Sequence, residues 1–189
     1  MSANPQSVLD QLKIDLKPSN ARLIAPPESV QEALYPGAHI ATGVEGAGNM
    51  YHHGIVLDTN GQMEILHFWG PGDKTTAKIQ TTTLAAFLAG SPELVGSVSR
   101  SLYLISYAND NAEKRQRTVD RARELLKSTT PTDYNLLHSN CECVAFYCRT
   151  GSWVSKQVIT VVNELVSRLI PRGISGSFGS LSGTLRNAS

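Results

Sequence analysis

The chain has 189 residues, 41% of them hydrophobic, and a formal net charge of +1. That size and apolar content suit one ordinary globular domain with a real core, and the near-neutral charge supplies no general attraction to a polyanion such as nucleic acid. The three cysteines fall within eight residues of one another, which argues against a secreted disulfide framework and for a reducing compartment.

The first 20 residues carry no charged segment followed by an apolar core of about 7 to 15 residues, so no secretory leader is expected. A cytoplasmic location is expected, with peripheral contact at membranes as an addition to it. Residues 1–30 alternate short apolar patches with Pro5, Pro18, Pro26 and Pro27 and read as a flexible arm with one helical stretch over 8–16. Ser29 and Glu32 have the spacing of a capping box, but Pro36 leaves room for barely one turn before a first strand over 37–41. Residues 43–49 are glycine-rich and polar, a loop that lacks the Lys-Ser/Thr ending of a phosphate-binding turn.

Two apolar runs, 51–57 and 63–68, flank Asp58-Thr59-Asn60-Gly61-Gln62 and predict an antiparallel hairpin. A short helix is expected over 81–89, a strand over 99–106 and a long helix over 111–127 with Val119, Ala122 and Leu126 on one face. Lys114, Arg115, Arg117, Arg121 and Arg123 give that helix a basic side. Glu113, Asp120 and Glu124 balance it, which favours a solvated face over contact with anionic headgroups. Ser139 or Asn140 can cap a further helix on which Val144, Ala145 and Cys148 recur at helical spacing from Cys141, and Gly151 suits its end. Lys156, Glu164 and Arg168 interrupt the apolar stretch that follows, so no membrane span is expected. Val158, Val161, Val162, Leu165 and Leu169 then form a stripe that packs on the domain, and the Gly/Ser-rich segment 171–189 predicts a disordered tail. The layout is an arm (1–30), one domain (31–170) and a tail (171–189).

Cys141 is the focus of the chemistry. At the first position of a helix, unpaired N–H groups and the helix dipole favour a thiolate and pull a thiol pKa down from about 8.5 towards neutrality. A nucleophilic thiol needs a base, and histidine is the usual one. A two-residue type I′ turn at Asn60-Gly61 sets Gly54 opposite His67, which puts His52 and His67 on one face as diagonal neighbours. A bulged turn instead sets His53 opposite His67, making His53 the alternative base. Cys143 and Cys148 read as packing, His39 and His138 as structural hydrogen-bonding groups, and Trp69 and Trp153 as core. A zinc site from His138, Cys141, Cys143 and Cys148 has the wrong spacing, so neither metal nor cofactor is expected.

The blocks YHHGIVLD, ILHFWG and NCECVAFYCRTG resemble those of the lecithin retinol acyltransferase-like family, also called the NC-domain or H-Ras-like suppressor family, and are closest to its plant-type NC-domain members. The resemblance spans about residues 35–153. It implies an α+β, circularly permuted papain-like fold whose antiparallel sheet packs on the helix that starts at the catalytic cysteine. It places the nucleophile on Cys141, the base on His52 and the second histidine on His67, with Asn140 and Glu142 as oxyanion and supporting residues. The implied activity takes an acyl chain from a glycerophospholipid through a Cys141 thioester and passes it to water, an amine or an alcohol. A non-enzymatic interaction module of the same fold and a permuted papain-like peptidase or amidase are the alternatives. The sequence departs from many relatives at Cys143-Val144 and in the length of the hairpin loop.

Overall fold

The computed structural model describes residues 16–25, 28–44, 51–70, 77–89, 100–128, 140–154, 156, 159–160 and 162–163. Most of the expected 8–16 helix, most of the 43–49 loop, most of the 158–169 stripe, His138 and the whole 171–189 tail lie outside the described residues. The elements among the described residues include, in chain order, β1 (Ala21–Ile24), α1 (Val30–Ala33), β2 (His39–Gly43), β3 (His52–Asp58), β4 (Glu64–Trp69), β5 (Lys78–Thr83), α2 (Leu84–Ala89), β6 (Ser101–Ile105), α3 (Ala112–Lys127) and α4 (Cys141–Thr150). The strands form one antiparallel sheet in the order β1-β6-β2-β3-β4-β5.

Successive side chains of a strand point to opposite faces, and the register sorts them into two cores. Ile40, Val56, Ile65, Leu102 and Leu104 pack with Phe87 of α2 and with Ala33 and Leu34 at the end of α1. On the reverse face Ile55, Leu57, Leu66 and Phe68 pack against Ala122 of α3 and Val144, Ala145 and Cys148 of α4. Fully burying one such aliphatic side chain is worth about 1.5–3 kcal/mol, so both cores hold the sheet. The result is a mixed α/β fold in which α4 lies across β3 and β4. Among the described residues no helix is long and apolar enough to cross a membrane.

Three expectations need correction. The arm is not wholly loose, because Ala21 to Ile24 pair with Ile105 to Leu102. The segment expected to be helical from residue 81 begins as β5, which pairs with β4 as far as Thr83, and only then turns into α2. The hairpin tip is neither of the two turns expected. Gly54 faces His67 and Val56 faces Ile65, as a type I′ turn requires, yet Asp58 then pairs with Glu64, leaving Leu57 as an extra residue on β3. Asp58 Oδ1 accepts from the Asn60 N–H at 2.8 Å and Gly61 takes φ +72°, so an Asx-type turn closes a wider loop. The short α1 is formed as its capping box predicts, with Ser29 Oγ accepting from Glu32 N–H and Glu32 returning the bond.

Candidate active site

The start of α4 is set by its caps. Asn140 stands at the N-cap in an extended conformation and its Oδ1 accepts from the Cys143 N–H at 3.0 Å. At the other end Gly151 takes φ +80° and donates its N–H to Tyr147 O at 2.7 Å, a left-handed cap that favours glycine. Cys141 therefore falls in the first turn, as expected. Its Sγ lies 3.9 Å from the carbonyl oxygen of Tyr51, against the backbone at the head of β3.

The expected drop of the thiol pKa is not found. Burial pushes Cys141 up to about 11; the backbone N–H of His53 opposes this, the Glu142 carboxylate adds to it, and the N–H groups of Glu142 and Cys141 oppose it in turn. Desolvation outweighs the helix dipole here because even a partly buried thiolate loses much of its water while the dipole offers only partial charges. Cys143 and Cys148 are buried, and burial raises Cys148 to about 12, in keeping with packing roles.

His52 and His67 come together. His52 Nε2 and His67 Nδ1 are 2.9 Å apart, with the rings edge to face at a 5.2 Å centroid distance. His52 packs on Phe87, and His67 stacks parallel to Trp69 with centroids 6.1 Å apart. Burial, then the neighbouring His67, His53 and Arg100, hold His52 well below the ordinary 6.5, and burial brings His67 to about 4. Among the described residues Nδ1 of His52 makes no hydrogen bond. Nor is any imidazole hydrogen-bonded to the Cys141 thiol among them. The Arg100 guanidinium is near enough to act electrostatically on both the thiol and the His52 ring.

A second histidine pair lies on the opposite, α4-facing side of β3. His39 Nε2 and His53 Nδ1 are 2.9 Å apart, His39 Nδ1 is 2.7 Å from Tyr107 Oη, and both histidines are buried. His53 sits at about 4 because burial outweighs the favourable Glu142 charge, and His39 is likewise held well below 6.5 by burial. Arg149 stands 4.9 Å over the Tyr107 ring, pairs with Asp110 and reaches Thr118 Oγ1 at 3.3 Å. Asp110 also accepts from Arg115 Nε at 2.7 Å and Tyr35 Oη at 3.0 Å. This chain was not singled out from the sequence. The signal was present, since the pairings His39 with Ile55 and Ala41 with His53 put both histidines on one face of adjacent strands.

Glu142 is buried beside Cys141, at 4% exposure. Along the basic side of α3, Lys114, Arg117 and Arg121 border a shallow cleft with Arg149, but each already has a partner: Asn109 O, Glu113, Cys148 O and Asp110 respectively. That is the pattern of a solvated, self-satisfied face. Among the described residues no group of three or more His, Cys, Asp or Glu side chains could hold a metal ion.

Compared with known families, residues 34–154 match the one described as lecithin retinol acyltransferase. Comparison with curated proteins and with solved structures gives no match.

Proposed function

We infer, because this chain belongs to the lecithin retinol acyltransferase family, that it is a cysteine-dependent lipid acyltransferase or acyl hydrolase in which Cys141 is the nucleophile, His52 its base and His67 the group that orients His52. The order β3, β4, then α4 fits a circularly permuted papain-like arrangement, with the histidine strands ahead of the cysteine helix. The observation that carries the assignment is the 2.9 Å contact between His52 Nε2 and His67 Nδ1, which leaves Nδ1 of His52 for a substrate or thiol proton. The shared influence of Arg100 on the thiol and on His52 supports their placement at one end of the sheet.

In this mechanism His52 keeps its proton on Nε2 and that N–H donates a hydrogen bond to Nδ1 of His67, which remains neutral because burial holds it at about 4. With the thiol raised and the imidazole depressed, both start uncharged. Sγ attacks an ester carbonyl of a glycerophospholipid while its proton passes to His52 Nδ1, so no standing thiolate–imidazolium pair is needed. Backbone N–H groups of the first turn of α4, with Asn140 fixing that turn through Cys143, face the oxyanion; one such donor is typically worth about 2.7–4 kcal/mol. The tetrahedral adduct collapses, the C–O bond breaks, and His52 returns the proton to the leaving lysolipid oxygen. Water, an amine or an alcohol then releases the acyl group from Cys141. Peripheral contact with a lipid surface delivers the donor.

One observation favours a second assignment of the base. His53 shares the face on which α4 packs, and its backbone N–H meets the Cys141 sulfur. Three variants separate the readings: Cys141→Ser, His52→Gln and His53→Gln, each incubated with mixed lipid extract while the acyl group on residue 141 is followed by mass and by hydroxylamine release. His52 as base requires a loss of about 10²–10⁴ in acylation for His52→Gln and far less for His53→Gln. The reverse order would transfer the role to His53, and unchanged lipid turnover in Cys141→Ser would reject the enzyme.

A further inference from the structure

Arg100 is a cation beside the reacting groups for which the mechanism above has no use. It immediately precedes β6, where Ser101 faces Gly43 and Leu102 faces Thr42, and Thr42 in turn faces His52 on β3. Leu102, Thr42 and His52 thus form one row across three strands, and side chains in register share a face. Arg100, two residues before Leu102, has the same parity. The backbones of β6 and β3 are two strand spacings apart, about 10 Å, which an extended arginine spans in large part. The electrostatic influence of Arg100 on His52 and Cys141 agrees with the placement that this register gives.

Two polar atoms at this end are buried without a hydrogen-bond partner among the described residues: Arg100 Nε and Thr42 Oγ1. A buried guanidinium N–H left unsatisfied is costly, and no carboxylate pairs with Arg100 among the described residues. By contrast Arg22, Arg115, Arg117 and Arg149 each have a carboxylate partner. A planar guanidinium presents five N–H donors in a fork that matches a phosphate oxygen pair.

From this geometry we propose that Arg100 binds the phosphate of the acyl donor and holds it so that the ester carbonyl lies between Cys141 and His52. The inference rests on the lipid acyl-transfer reading and deepens it: Arg100 selects phosphodiester lipids over neutral esters. Thr42 lines the same end and offers a hydroxyl donor. A side chain that positions the substrate through a remote, non-reacting part lowers kcat/KM, when lost, only for donors that carry that part, whereas loss of one that acts on the oxyanion lowers it for every ester alike.

The test uses the full chain and two acyl donors, a short-chain monomeric phosphatidylcholine and a p-nitrophenyl ester of the same acyl length. Arg100→Gln should lower kcat/KM for the phospholipid on the order of ten- to a hundredfold more than for the nitrophenyl ester, the range of a charge-assisted hydrogen bond, while any loss common to both esters reports the field of the guanidinium on the thiol and on His52. Arg100→Lys, which keeps the charge but not the fork, should recover part of the loss. Equal losses on both esters, or no loss on either, overturn the proposal. A second readout needs no turnover: glycerophosphocholine should slow iodoacetamide labelling of Cys141, located by peptide mass, in the natural protein and not in Arg100→Gln. Equal protection in both also overturns it. A chain that transfers no acyl group yet shows Arg100-dependent protection retains the phosphate site while losing the enzymatic reading, so the two failures are distinct.

Discussion

His52 Nε2 meets His67 Nδ1 at 2.9 Å although the two residues are not opposite each other; the residue facing His67 is Gly54. The rings lean together over a position without a side chain. A Cβ built at Gly54 would lie 2.8 Å from Ile65 Cγ2, 2.9 Å from Phe87 Cε2 and 3.0 Å from the Leu66 carbonyl oxygen. The last of these is backbone and cannot swing aside. Gly54→Ala should therefore destabilise the protein by about 1–3 kcal/mol, as overpacking does, and disturb the histidine pair. Urea unfolding and acylation rates check it: a variant with unchanged midpoint and unchanged rate would show that the glycine is not required for the pairing.

Reaction through neutral partners has a distinct pH signature. His52 must be unprotonated, and its pKa lies well below 6.5, while the thiol sits at about 11. The acylation rate should rise on the acid side with a midpoint below 6.5 that belongs to the coupled His52–His67 pair, then stay flat through neutrality. Labelling of Cys141 by iodoacetamide without substrate should climb only towards strongly alkaline pH. Single-turnover acylation and labelling rates between pH 4 and about 11 measure both. A labelling midpoint near neutrality together with a bell-shaped turnover curve would indicate a preformed ion pair instead.

What could be read from the sequence divides along physical lines. The caps of α4 were legible because Asn140 and Gly151 act through their own backbone positions, and the histidine diagonal because strand alternation is strict. β1 and β5 were not legible. Both are edge strands, and LysIleGln-ThrThrThr at β5 carries one aliphatic residue in six, since an edge strand buries little. The face of the sheet that α4 covers was also hidden: alternation defines two faces, but only tertiary packing of Val144, Ala145 and Cys148 against Ile55 and Leu66 chooses between them. The thiol pKa failed for the same reason. Helix position was in the sequence, whereas burial was not.

Four histidines held neutral make the fold acid-sensitive. His39 and His52 are well below 6.5 in the folded chain, and His53 and His67 are at about 4. Above pH 6.5 folded and unfolded states are both neutral at these groups and stability is at its full value. As pH falls below 6.5 the unfolded chain takes up protons that the folded chain refuses, so stability is lost, by about 1.4 kcal/mol per pH unit for each such group until its folded pKa is reached. Urea midpoints should therefore fall steeply between pH 6.5 and about 4, and His39→Gln, which keeps a polar side chain but cannot titrate, should flatten the slope. A midpoint independent of pH over that window would mean that the histidines accept protons in place.

The Asp110 network should separate a buried ion pair from an exposed one of the same chemistry. Arg149 has a side chain only 4% exposed and Asp110 one 15% exposed, while Arg117 and Glu113 are 61% and 71% exposed. Arg149 ties the end of α4 to Asp110 ahead of α3 and to Thr118 within it, so its loss loosens the helix that begins with Cys141. Breaking a buried pair typically costs about 3–5 kcal/mol, but Asp110 keeps Arg115 and Tyr35, so Arg149→Met should cost about 2–3 kcal/mol. Arg117→Met should change stability by less than about 1 kcal/mol, because water and salt already screen that pair. Denaturant titration of both variants at low and high salt is the measurement. Equal costs at the two sites would mean that solvent reaches Arg149 as freely as Arg117, and the coupling between α3 and α4 would then have to come from the Arg121 hydrogen bond to the Cys148 carbonyl and the apolar contacts of Ala122 with Val144, Ala145 and Cys148.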